Sequence, residues 1–166
     1  METDDGIMSQ KLDIQSVSEF MWREAEILDN RQYQEWLNLW EADGLYIVPI
    51  ERDVDDYANV LNFAYDNAAM RKMRVARLTS RFSMSATASS TTVRTTSRFV
   101  VKEQNENEMT IRAAQHLADY RRDNLQMIAA DIEAVLRLTP DGLKYVKKIV
   151  RLANSDDAVS GFAYLL

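Results

Sequence analysis

The sequence predicts an α+β fold, with N-terminal helices packed on one face of a strongly curved antiparallel sheet. Three observations carry this. Apolar residues recur at helical spacing as far as about residue 40. From Thr91 onward the pattern switches to strict alternation, the period of a half-buried strand. Turn-forming residues then break that alternation into about five segments, so the helices precede a meander.

Element by element, residues 1–15 read as a loose acidic arm, and residues 16–166 as one domain. Ser16 and Glu19 form a capping box that opens a helix with Val17, Phe20, Met21, Ala25 and Leu28 on one face. Tyr33, Trp36, Leu37 and Trp40 predict a second, aromatic helix. Asp43–Gly44 predicts a turn, and Leu45 to Ile50 a strand that Pro49 places at an edge or an end. After a polar loop over 51–60 and a short strand from Leu61 to Tyr65, Asp66 reads as the cap of a third helix. That helix would pack Ala69, Met70, Met73 and Ala76 inward and keep its basic residues outside. Residues 79–97 begin as a Ser/Thr-rich loop and become strand from Thr91, where β-branched residues accumulate. Val93, Phe99 and Val101 are expected on one face, and Arg94, Arg98 and Lys102 on the other. Met109, Ile111, Ala113 and Leu117 mark the next strand, and Ile128 to Leu138 a long one. Thr139-Pro140-Asp141-Gly142 is a β-turn. An alternating strand through Val150, a turn at Asn154–Asp157 and a last strand from Val159 to Leu166 complete the chain.

Composition excludes whole classes of chemistry. The 166 residues contain no cysteine and a single histidine, His116. Disulfides, zinc–thiolate sites, iron–sulfur ligation and cysteine nucleophiles are therefore absent. The four glycines, at positions 6, 44, 142 and 161, are too scattered to form a phosphate loop or a dinucleotide fingerprint. No apolar run is long enough to span a bilayer. The acidic start METDDGIMSQ has no signal-peptide pattern, so the cytoplasm is the expected location and no membrane is involved.

The net charge of −6 is unevenly placed. The first thirty residues are acid-rich, whereas 71–102 hold Arg71, Lys72, Arg74, Arg77, Arg81, Arg94, Arg98 and Lys102 with no acid. With only Phe82 and Phe99 as stacking surfaces, this stretch reads as a surface complementary to an acidic partner or to the chain's own acidic parts, and no nucleic acid is expected.

Three stretches together resemble a known family. They are Glu24-Ala25-Glu26-Ile27-Leu28-Asp29 with Tyr33, Glu35-Trp36-Leu37, Trp40, Asp43, Tyr46 and Pro49; Tyr65-Asp66 with Met70, Arg74-Val75 and Arg77-Leu78; and Lys147-Lys148-Ile149-Val150 through Asn154 to Phe162-Ala163-Tyr164-Leu165-Leu166. In this order they are similar to the beta (small) subunits of bacterial aromatic-ring-hydroxylating dioxygenases. The resemblance runs from about Val17 to the end. It departs at Ser89-Ser90-Thr91-Thr92-Val93-Arg94, where the family usually reads close to Pro-Ser-Arg-Thr-Arg-His and only Ser90 and Thr92 line up.

The resemblance implies a cone of the nuclear-transport-factor-2-like, cystatin-like kind (the SnoaL-like group among them). It also implies a trimer of this chain bound to a catalytic alpha subunit in aromatic-compound catabolism. That partner would hold the Rieske [2Fe–2S] cluster and the mononuclear iron. No catalytic, cofactor or metal residue is expected here, since a Rieske centre takes two cysteines and two histidines. The alternatives are a stand-alone cone-fold isomerase or dehydratase, or a small-molecule binding protein. Either would use a pocket around His116, with Tyr120, Tyr46, Asp43 and Asp131 as polar candidates. Trp36 and Trp40 read as core or interface anchors rather than an aromatic ligand cage. Arg94, Arg98 and Phe162 are further interface candidates. Glu24, among apolar residues, is expected to pair with Arg74 or Arg77, and the methionines at 70 and 73 to fill core.

Overall fold

The computed structural model describes residues 11–84, 90–153 and 165–166, with the side chains of 82–84 left aside. The elements run α1 (Ile14–Asp29), α2 (Tyr33–Leu37), β1 (Trp40–Pro49), a 3-10 turn (Tyr57–Asn59), β2 (Asn62–Asp66), α3 (Ala68–Met84), β3 (Thr91–Gln104), β4 (Glu108–Arg121), β5 (Asn124–Thr139) and β6 (Gly142–Leu152). One six-stranded sheet has the order β2-β1-β6-β5-β4-β3. The meander β3 to β6 is antiparallel as expected, but β1 joins β6 in parallel. The sheet is therefore mixed. The expected acidic arm and last strand fall mostly on 1–10 and 154–164, outside the described residues.

α1 begins earlier than the Ser16–Glu19 box predicts. Asp13 is the cap: its carboxylate accepts the Ser16 amide at 2.9 Å, and the Ser16 hydroxyl accepts the Asp13 amide at 3.2 Å. The box is present, shifted by three residues. The second helix is a single turn and a half. Trp40 leaves it and opens β1, because the Tyr145 amide bonds to the Leu39 carbonyl at 2.8 Å and draws the chain onto β6. A helix this short has little stability of its own, so sheet pairing overrides the helical spacing. Both elements still turn their aromatic rings inward.

Asp43–Gly44 is no turn. It lies inside β1, where the register with β6 slips between Trp40 and Leu45. A β-carbon on Gly44 would meet the Trp40 ring and the Tyr145 carbonyl at 3.0 Å, so any larger residue would have to push these neighbours apart. The carbonyls freed by the slip are taken by Arg71, which donates to Gly44 and, at 3.3 Å, to Glu41, and lies 4.5 Å over the Trp40 ring.

That contact reverses the expected faces of α3. Asn67, not Asp66, caps it, accepting the Met70 amide at 3.0 Å. Arg71, Val75 and Leu78 are buried, whereas Met70 and Met73 are exposed and fill no core. Asp66 is also buried and holds Arg74. β3 differs from its expected faces for a similar reason. Arg94 and Thr96 point inward and Val93 outward. The register then slips between Ser97 and Val100, with Arg98 at φ 56°, and beyond this bulge Phe99 meets Trp22 edge to face. The β3 edge is tied to α1: the Trp22 indole donates to the Thr96 carbonyl at 2.8 Å, and Asp29 accepts the Arg94 amide at 2.8 Å.

The hairpins follow their turn chemistry. β4 to β5 turns through Arg122 and Asp123, both at positive φ, as a two-residue loop that matches strand twist requires. β5 to β6 turns at Thr139–Gly142, with Gly142 at φ 106°. Met109, Ile111, Ala113 and Leu117 of β4, and Ile128 to Leu136 of β5, alternate into the core as their pattern predicts.

Candidate functional site

The interior of the cone centres on Glu24. α1 brings this carboxylate in among Val17, Met21 and Leu28, and it is 2% exposed. Lys148 donates to both its oxygens at 2.9 Å, the Trp36 indole donates at 2.9 Å, and the Tyr145 hydroxyl donates at 2.5 Å. Lys148 reaches the interior because β6 is bulged: Tyr145 pairs with Leu136 and Lys147 with Val135, so Val146 is extra. The slip puts Tyr145, Lys148 and Val150 on the buried side, in place of the simple alternation the sequence predicts.

Burial pushes the Tyr145 hydroxyl well up, and the Glu24 charge pushes it the same way. Burial pulls Lys148 down, opposed by Glu24. Four hydrogen bonds from three donors saturate the carboxylate, and none of the group is open to a reactant. The arrangement is a fixed polar hub, and Glu24 is paired with neither Arg74 nor Arg77. An Arg74–Asp66 pair and exposed Arg77 account for those two.

The hub extends to residues 165 and 166, both buried. Lys148 donates to the Leu166 carbonyl at 3.0 Å, and the Tyr46 hydroxyl accepts the Leu166 amide at 3.0 Å. Arg94, itself paired with Asp29, donates to the Leu165 carbonyl at 2.6 Å. Burial raises the Tyr46 hydroxyl above the usual tyrosine range.

The predicted pocket around His116 is not assembled. His116 is exposed on the outer face of the sheet, between Thr95 and Ala129 in register. Tyr120 shares that face and donates to Asp123 at 3.0 Å. Asp131 is there too, taken by Arg52 at 2.7 Å and by Arg98, and the two guanidiniums hold its carboxyl below the usual range. Tyr46 lies on the opposite, buried side, and Asp43 is exposed in the β1 irregularity. Strand parity explains the split: even-numbered β4 residues point away from the helices.

The interface candidates divide similarly. Trp36 and Trp40 are core, edge to face at 5.4 Å, and offer no surface. Arg94 is buried with Asp29. Arg98 is exposed, and Phe162 lies outside the described residues. The outer face instead carries an apolar patch in cross-strand rows: Tyr120 beside Leu125, and Val93 with Ala118 and Met127. Val93, Leu125 and Met127 are each more than half exposed.

Among the described residues no cluster of histidine and acidic side chains is arranged to hold a metal, and no helix is long and apolar enough to cross a membrane.

The family model described as the ring hydroxylating beta subunit matches residues 23–156. The chain belongs to this family. The small subunit of 2-halobenzoate 1,2-dioxygenase from Burkholderia cepacia is 28% identical over 140 residues, 81% of this chain and 85% of that one. The benzoate 1,2-dioxygenase beta subunit of Burkholderia mallei superposes at TM-score 0.79 with 21% identity, over 89% of this chain and 95% of that one. An NTF2-like protein with a cystatin-like fold from Novosphingobium aromaticivorans superposes at 0.63 with 16% identity, covering 92% and 90%. The cone expected from the resemblance is thus the fold of this beta-subunit family member. Over the described residues 90–94, its divergent segment is tied down internally: Ser90 to Asp119, and Thr92 and Arg94 to Asp29.

The residues that sequence reasoning missed are Lys148, Tyr145 and Arg71. A usable signal existed for the first. A glutamate on an apolar helix face and a lysine just before Ile149-Val150 are two charges in apolar settings, and such charges call for one another.

Proposed function

We propose that this chain is the structural and assembly subunit of a ring-hydroxylating dioxygenase. It would bind a catalytic large subunit and associate as a trimer, in the cytoplasm. The observation that carries this reading is the family match joined to composition. A Rieske cluster takes two cysteines and two histidines, and the oxygenase iron two histidines and a carboxylate. The chain has no cysteine and one histidine, so both centres belong on the large subunit. The filled interior supports the same reading: what this chain has to offer a partner is surface.

The outer apolar rows are the favoured contact. One face of an antiparallel sheet is commonly solvated and polar, yet Val93, Tyr120, Leu125 and Met127 stand together there. Grouped apolar exposure of this kind marks an interaction site. Co-expression with the large subunit of a ring-hydroxylating dioxygenase from the same genome tests the reading. Co-purification and a trimer in sedimentation equilibrium support it, and Val93→Glu with Met127→Glu should abolish association while the folded chain keeps its unfolding midpoint. A wild-type chain that stays monomeric at micromolar concentration and ignores the large subunit would refute it.

A further inference from the structure

The acid-free stretch 71–102 does not form one basic surface. Arg71 is taken up by backbone carbonyls, and Arg74, Arg94 and Arg98 are paired with Asp66, Asp29 and Asp131. Lys72, Arg77 and Lys102 stay exposed, with no ion pair among the described residues. Lys72 and Arg77 lie on the outward face of α3, a helix without an acidic residue. Helical spacing sets Met73 between them, with Lys72 on one flank and Arg77 on the other. The complementary feature lies across the molecule, where α1 and the β3 edge enclose an open groove. Trp22 is its apolar part, and Trp22 and Met73 are each more than half exposed. Glu19 and Glu26 neighbour Trp22 along α1, at i−3 and i+4. Glu19 accepts a neutral bond from Gln15 at 3.1 Å, and neither glutamate has an ion pair among the described residues. Arg23 offsets one of these charges and Asp29 cancels Arg94, so the groove keeps a net negative charge.

We infer that α3 of one copy seats in the α1–β3 groove of the next, with Met70 and Met73 against Trp22 and with Lys72 and Arg77 against Glu19 and Glu26. The inference rests on the trimer proposed above and names surfaces that join its copies. α3 packs over β1 and β2 at one edge of the sheet, and the groove runs along β3 at the other. Neither surface suits itself: α3 would repel α3, and the groove would repel the groove. Two unlike surfaces that match join copies head to tail, and such contacts close into a ring when the rotation permits. A second copy is therefore an occupant that the chain itself supplies. Thioethers pack favourably on indole rings, so the apolar centre holds the contact and the charges set its register. The contact is separate from the outer rows of Val93, Leu125 and Met127.

Sedimentation equilibrium of the full chain at physiological salt tests this. Lys72→Glu with Arg77→Glu should raise the dissociation constant of the trimer at least about tenfold, and Glu19→Lys with Glu26→Lys should do the same. All four changes together should restore it, because the charges are then exchanged rather than lost. The two pairs shift net charge in opposite directions and the fourfold variant leaves it unchanged, so overall repulsion cannot imitate this pattern. All four side chains are exposed, and an unchanged urea midpoint shows each variant folded. The wild-type trimer, which needs no variant, should weaken as salt rises. A trimer indifferent to salt and to both charge pairs, or a folded fourfold variant that stays dissociated, overturns the inference. So does a pair that loses only the large subunit, which would give α3 to that partner. A wild-type chain that is monomeric overturns the assembly reading itself, and this contact with it.

Discussion

Glu24 and Asp131 are carboxylates on opposite sides of one sheet, and each gathers several donors. Glu24 faces the helix-covered side, almost fully buried, with Lys148, Trp36 and Tyr145 around it. Asp131 faces outward between Arg52 and Arg98, whose side chains are 38% and 58% exposed. The bonding looks alike, but the energetics do not. Inside, each partner is indispensable because the alternative is a bare charge in an apolar medium. Outside, water replaces whichever partner leaves, and exposed pairs contribute little.

Breaking the inner hub gives the largest expected effect. Lys148→Met strands the Glu24 carboxylate and should cost about 3–5 kcal/mol, read from the urea midpoint at unchanged slope. Adding Glu24→Gln removes the stranded charge, and most of the loss should return. If the double variant is as unstable as the single, the lysine acts through packing rather than charge. Tyr145→Phe removes one hydrogen bond to a charged acceptor and should cost about 2 kcal/mol.

Asp131→Asn should cost at most about 1 kcal/mol. Its effect should also depend on pH in a set direction. The arginines hold the folded-state value below the ordinary one, so the stabilisation is complete above pH about 3.9 and fades as pH falls through the lowered value. The wild-type and variant stability curves should therefore converge in acid. A difference that grows in acid would contradict the pairing.

The smallest effect belongs to His116→Ala. An exposed side chain with no buried role should change stability by less than about 0.5 kcal/mol and leave a reconstituted complex within a few-fold of full activity. A thousandfold loss with assembly intact would turn the comparison round and make the outer face a reaction site.

Only the burial of Glu24 among apolar residues was readable in the sequence, not its partners or those of Asp131, and the failures are instructive. β4 and β5 were legible because Met109 to Leu117 and Ile128 to Leu136 keep an unbroken period of two. β6 was not, because a single extra residue, Val146, reverses strand parity without any mark in composition and turns Lys148 inward. β3 was not, because Asp29 draws Arg94 inward ahead of two slips in the strand's register. α3 misled for another reason: methionine outside and arginine inside is the reverse of the usual preference. Carbonyls left open by the β1 irregularity at Gly44 attract Arg71 more strongly than any nearby apolar surface attracts Met70 or Met73. The candidate pocket was illegible because His116 and Tyr46 carry no sign of which side of the sheet they occupy until the pairing is known.

The ties between α1 and the rim of β3 bear on how the protein behaves at high concentration. A fourteen-residue strand at the border of a sheet is a template on which another chain can lay down its own backbone. Here the carbonyl of Thr96 is already engaged by the Trp22 indole and the amide of Arg94 by Asp29. The bulges beyond bend the remaining length out of line. Growth by successive strand addition, the route to fibres, is disfavoured at that border. Along that border, copies are steered to meet through side chains on the sheet's broad surface rather than through backbone pairing.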